Sequence, residues 1–143
     1  MNDSTALRHN QLTENQTIRY LVRHLENEKW TIGENFRLSH QRGIDAEARK
    51  GNTVMLIEVK GAKAHKNAPT KKRKKFSGGQ INAHFGAAIV KVLKLQNDDP
   101  KALIAIAHPD DAFLRKHLTP LIPYLKMLGC RHYWVSKTAI IQL

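Results

Sequence analysis

Gly43-Ile44-Asp45-Ala46-Glu47-Ala48-Arg49-Lys50-Gly51-Asn52-Thr53-Val54-Met55-Leu56-Ile57-Glu58-Val59-Lys60-Gly61 is the stretch from which the rest of the chain is read. Gly51-Asn52 is a two-residue connection that tolerates positive φ, so the pattern predicts a hairpin with strands over 43–50 and 53–60. Lys50 then pairs with Thr53, and Asp45 lies opposite Glu58. One face of this hairpin is apolar throughout, with Ile44 against Val59, Ala46 against Ile57 and Ala48 against Met55, which supports the register. The other face brings two carboxylates to a Cβ separation of roughly 4.5–5.5 Å, where like charges repel. Lys60, two residues beyond Glu58, points to that same face.

Two arrangements offset the repulsion. A divalent cation between Asp45 and Glu58 is one, because Mg²⁺ takes one or two carboxylates plus waters. Mn²⁺ satisfies the same oxygen ligands. The other is a surface ion cluster in which Lys60 neutralises the pair. The hairpin alone leaves both open.

Outward from the hairpin, residues 13–28 are predicted as a helix, capped by Thr13 and carrying the apolar stripe Ile18, Leu21, Val22 and Leu25. A strand is expected between Trp30 and Leu38. Ile81, Phe85, Ala88, Ile89 and Val92 mark a second amphipathic helix that opens at Gln80 and ends near Gln96, before the breaker Asn97-Asp98-Asp99-Pro100. Ala102 to Ala107 is short and apolar on both faces, as a central strand covered by helices would be. Asp110 is positioned to cap a short helix, Thr119-Pro120 to start another that stops at Gly129, and 131–136 and 138–142 to close the sheet. The order predicts one α/β domain over residues 1–143, with a mixed central sheet flanked by helices on both faces and an αβββαβ core.

A hydrophobic fraction of 41% with 25% charged residues fits a globular protein and excludes a disordered one. Only the sign of the charge is unusual. With 24 Lys+Arg against 12 Asp+Glu the formal net charge is +12, which makes a polyanion the expected partner. Lys60, Lys63, Lys66, Lys71, Lys72, Arg73, Lys74 and Lys75 fall between 60 and 79 with no acid among them, and the Pro and Gly of about 61–79 make this an exposed basic loop. Lys63 and the residues after it are assigned to phosphate contacts, which position a nucleic acid without reading its sequence. Six such contacts give a slope of roughly −5 in log K against log salt. The single Cys130 and an opening with no basic or long apolar run predict a reducing, cytoplasmic setting, and no apolar run is long enough to span a membrane.

Gly43-Ile44-Asp45 and Ile57-Glu58-Val59-Lys60-Gly61, with twelve residues between Asp45 and Glu58, together resemble the motif of the PD-(D/E)XK nuclease superfamily, the restriction-endonuclease-like fold. Ile44 stands where the family name has proline. The order of elements is similar to Holliday-junction resolvases and small restriction-type endonucleases over most of the chain. The resemblance implies that Asp45, Glu58 and the main-chain carbonyl of Val59 bind Mg²⁺ while Lys60 assists water attack on a phosphodiester. Relatives also direct a helix-borne carboxylate to the metal, for which Glu14 is the match; its plainer reading is a favourable charge in a first helical turn. Gln80 matches a polar residue found near the active site of relatives, and reads otherwise as a plain helix start. His84, one turn on, reads as structural or as lining the same cleft, and Glu47 as solvated.

The function expected is metal-dependent hydrolysis of DNA in repair, recombination or restriction, on double-stranded or branched DNA, with RNA as a further possible substrate. A homodimer would suit a junction resolvase, which needs two active sites. The alternative from another class is a non-catalytic nucleic-acid-binding subunit of a larger DNA-processing complex.

Overall fold

A computed structural model of the chain describes residues 11–33, 44–63 and 76–143. Helix α1 (Glu14–Asn27) opens with a capping box, in which Thr13 accepts from the Gln16 amide and the Gln16 side chain accepts from the Thr13 amide, so two otherwise orphaned donors are satisfied. Its buried face is Thr17, Ile18, Leu21 and Leu25. Strand β1 (Thr31–Ile32) follows; residues 34–38 of the expected strand lie outside the described residues.

Strands β2 (Ala46–Lys50) and β3 (Thr53–Val59) pair antiparallel in the expected register, from Lys50↔Thr53 to Ala46↔Ile57. Gly51 adopts φ 60° and Asn52 does not share the positive φ, which is where a type II′ turn needs its glycine. Helix α2 (Gly78–Asp98) leads to β4 (Leu103–Pro109), α3 (Ala112–Leu118), a 3₁₀ turn (Thr119–Leu121), α4 (Ile122–Met127), β5 (Cys130–Val135) and β6 (Ile140–Gln142). The strands form one six-stranded sheet in the order β1 to β6, antiparallel at both sides and parallel where β4 lies between β3 and β5.

Alternation along the strands divides two apolar cores between the sheet faces. Leu21, Leu25, Ala48, Met55, Ile57 and Tyr133 belong to the core under α1. Phe85, Val92, Ile104, Ile106, Leu118 and Trp134 belong to the core under α2 and the later helices. The mixed α/β class and the helices on both faces agree with expectation. Two helix starts differ from expectation for local reasons. Ser77 and not Gln80 begins the second helix, through a capping box with Gln80. Gly78 in its first turn leaves room for the His117 ring, since a Cβ there would lie 2.7 Å from His117 Cε1. Asp111 caps α3 by accepting from the Phe113 and Leu114 amides, while Asp110 pairs with Arg115.

Candidate functional site

The site lies at the end of β3, where the sheet changes from antiparallel to parallel pairing. Glu58 is the penultimate residue of β3, its register neighbour on β4 is Ile106, and it is only 2% exposed. Lys60 continues past the strand and is held there by its amide, which donates to the Ala107 carbonyl at 3.0 Å.

Asp45 stands just before β2 and is buried. Its amide donates to the Ile57 carbonyl at 3.2 Å, although the ladder already gives Ile57 to Ala46, so two residues share one partner as in a β-bulge. The side chain is turned along β3 as a result, and Oδ2 accepts the Val59 amide at 2.8 Å. Asp45 therefore neighbours Glu58 and also ties down the last backbone donor of β3, a role that the regular hairpin register does not reveal.

Glu14 arrives from the other sheet face. The α1 N-terminus crosses the chain just after Lys60 so closely that a Cβ on Gly61 would lie 2.5 Å from the Glu14 nitrogen, and Ala62 donates to the Leu12 carbonyl at 2.8 Å. Only glycine fits at position 61 without moving the helix. Glu14 is an exposed residue, yet desolvation of its carboxyl and the nearby Asp45 push it up to about 7, against the opposing pull of Lys60 and Lys91. Burial, followed by a hydrogen bond and repulsion from Asp45, pushes Glu58 further, up to about 8. Three carboxyl groups and two ammonium groups thus act on one another at one end of the sheet.

Lys91 is the residue that sequence reading missed. It projects from the middle of α2, and its Nζ lies 2.5 Å from Glu58 Oε2. Oε2 is buried and takes no hydrogen bond of regular geometry among the described residues, and its contact with Lys91 is an ion pair. The sequence offers a weak signal: Lys91 adjoins the buried stripe Phe85, Ala88 and Val92 and has no acid within four positions along α2, so any ion-pair partner comes from elsewhere in the fold.

Other expected site residues have different surroundings. The Gln80 side chain accepts from the Ser77 amide at 2.9 Å while its own amide donates to Ser77 Oγ, which is the helix-start role. Glu47 pairs with Arg49 at 3.0 Å, away from the carboxylate cluster. His84 is half-buried, edge-on to Phe76, and held below its ordinary value first by burial and then by the Lys60 charge. Lys63 is half-buried, and Lys66, Lys71, Lys72, Arg73, Lys74 and Lys75 lie outside the described residues.

Among the described residues no group of three or more His, Cys, Asp or Glu side chains has the geometry of a metal site. A two-carboxylate donor set is a smaller demand, and here the residues fit it: Asp45 and Glu58 are hard oxygen donors, both buried, and Glu58 Oε2 attracts a cationic group. No helix among the described residues is long and apolar enough to cross a membrane. Comparison of the chain with protein-family models, with curated proteins and with solved structures returns no match.

Proposed function

We propose that this chain is a metal-dependent deoxyribonuclease of the restriction-endonuclease-like kind, hydrolysing phosphodiester bonds in double-stranded or branched DNA. The observation that carries the reading is the gathering of Asp45, Glu58 and Lys60 at one end of β3, with Glu14 added by α1. A chain that only bound a phosphate backbone would have no use for buried carboxylates beside it. The net charge of +12 supports a polyanionic substrate.

In this reading Asp45 and Glu58 would hold Mg²⁺, or Mn²⁺ in its place, together with the Val59 carbonyl. The metal would supply a bound water of lowered pKa and offset charge on the reacting phosphate. Lys60, fixed through its backbone to Ala107, would orient the attacking water and stabilise the developing negative charge. Glu14 adds a carboxylate able to accept a proton or orient a water at the rim. Lys63 and the basic run after it would contact phosphates on the flanking DNA. A homodimer would supply two such sites to a branched substrate.

One observation favours a non-catalytic DNA-binding subunit: the Lys91–Glu58 ion pair already neutralises a buried carboxylate. Cleavage and binding separate the two readings. Wild-type protein is expected to cut DNA with Mg²⁺, whereas Asp45→Ala and Lys60→Ala lose cutting and still retard DNA in a gel. Salt-sensitive binding without cutting by any form would support the binding subunit instead.

A further inference from the structure

Glu58 and Lys91 are unequal partners. The glutamate side chain is 3% exposed and fixed on a strand hydrogen-bonded on both sides, whereas the lysine side chain is 35% exposed on a flexible stem rooted in α2. The ammonium therefore sits on Oε2 as a cation on a long tether beside a carboxyl fixed in the sheet. The Lys91 charge reaches Glu14 as well, so it acts on the cluster and not on one carboxylate alone. Two cations at contact distance on one carboxylate oxygen repel each other, which offsets much of the attraction each gains.

We propose that Lys91 is a built-in counter-ion which competes with a divalent cation for Glu58 Oε2, so that metal binding requires the ammonium to swing away. This inference rests on the proposed metal site and adds a residue that sets its affinity. Lys91 is a positioning residue in this account: without metal it holds the Glu58 carboxyl in place and favours its ionised form against the pull of burial, and its release accompanies formation of the metal-bound state.

The test is calorimetric titration of Mg²⁺ into the full chain without DNA, using wild type, Lys91→Met, Lys91→Arg and Glu58→Gln. Methionine keeps an unbranched stem against α2 and removes the charge; Mg²⁺ is then expected to bind on the order of tenfold tighter than to wild type. Arginine retains the competing cation and is expected to bind as wild type does. Glu58→Gln is expected to lose the binding. Binding by Lys91→Met alone would likewise support competition. Equal or weaker binding by Lys91→Met, with wild type binding normally, would overturn the inference and leave the metal site standing. No binding by any form would overturn both.

A second readout needs no stable charge-removing variant. The Lys91 side-chain ammonium resonance of wild type, assigned by its loss in Lys91→Arg, is expected to move toward that of a free lysine as Mg²⁺ saturates. A resonance that stays in place while Mg²⁺ binds would overturn the competition.

Discussion

Two buried titratable pairs share the α2 face of the sheet and have been given opposite surroundings. Register places Glu58, Ile106 and His132 in one row across β3, β4 and β5, so a single isoleucine position separates the carboxylate cluster from the histidines. His108 Nδ1 and His132 Nε2 are 2.9 Å apart in a stacked pair, walled by Phe85 and Trp134, and His132 Nδ1 has no hydrogen-bond partner among the described residues. Burial, followed by the Arg115 charge, pushes His132 down to about 3, and burial followed by His132 holds His108 well below its ordinary value. The histidines are thus neutral packing groups. The carboxylates are equally hidden, yet Lys91 reaches in to Glu58 and Lys60 stands over the same end of the strand. The candidate site differs from the histidine pair in the opposite charge brought to it and not in burial.

The largest expected effect separates these regions by activity. Asp45→Ala and Glu58→Ala are expected to lower DNA cleavage by about 10²–10³-fold or more, the scale of removing one preorganised group that stabilises the transition state. His132→Leu is expected to leave cleavage near wild type. Comparable losses in both sets would break the contrast. Stability should show the reverse emphasis: His108→Leu leaves both His132 nitrogens without partners, and is expected to cost about 1–3 kcal/mol in urea unfolding.

The contrast also has a pH signature in the metal-free protein. Folded Glu58, pushed up to about 8 from 4.5, holds a proton that the unfolded chain has released, so its contribution to stability is lost as pH rises through that window. Glu14, raised to about 7, acts in the same direction. Folded His132, lowered to about 3 from 6.5, refuses a proton that the unfolded chain accepts, so its contribution is lost as pH falls below 6.5. Unfolding midpoints measured between pH 4 and 8.5 are expected to decline less on the alkaline side in Glu58→Gln and less on the acid side in a His108→Leu/His132→Leu double variant.

The smallest effect concerns Gln80. As half of a capping box its replacement by Ala is expected to cost about 1 kcal/mol and leave the cleavage rate per folded molecule unchanged. A rate loss larger than the stability loss would return Gln80 to the site.

The hairpin was legible because alternation and a two-residue turn over-determine its register: a one-residue slip would have put Ala46, Ala48 and Ile57 on the wrong face. The shared Ile57 partner at Asp45 was not legible, since no turn residue or period announces where a strand pair bulges. Ser77-x-x-Gln80 does carry a helix-start signature, but Gly78 and Gly79 obscure it by their poor helix propensity, and only the His117 ring explains Gly78. Glu14 was singled out from the sequence, whereas Lys91 joins the cluster through packing of α2 against the sheet, a relation with no local trace beyond a lysine that has no acid nearby on its own helix. The positive charge was evident from composition, although six of the seven residues assigned to DNA contacts lie outside the described residues.

The most direct test of the central claim is cleavage of supercoiled plasmid, a four-way junction and single-stranded DNA by purified wild type and Glu58→Ala, each with Mg²⁺, Mn²⁺ or EDTA. The account predicts cutting by wild type with either metal, none with EDTA, and none by Glu58→Ala, with the fastest substrate naming the class of DNA acted on. Cutting that survives Glu58→Ala, or wild type that binds every substrate and cuts none, would contradict it.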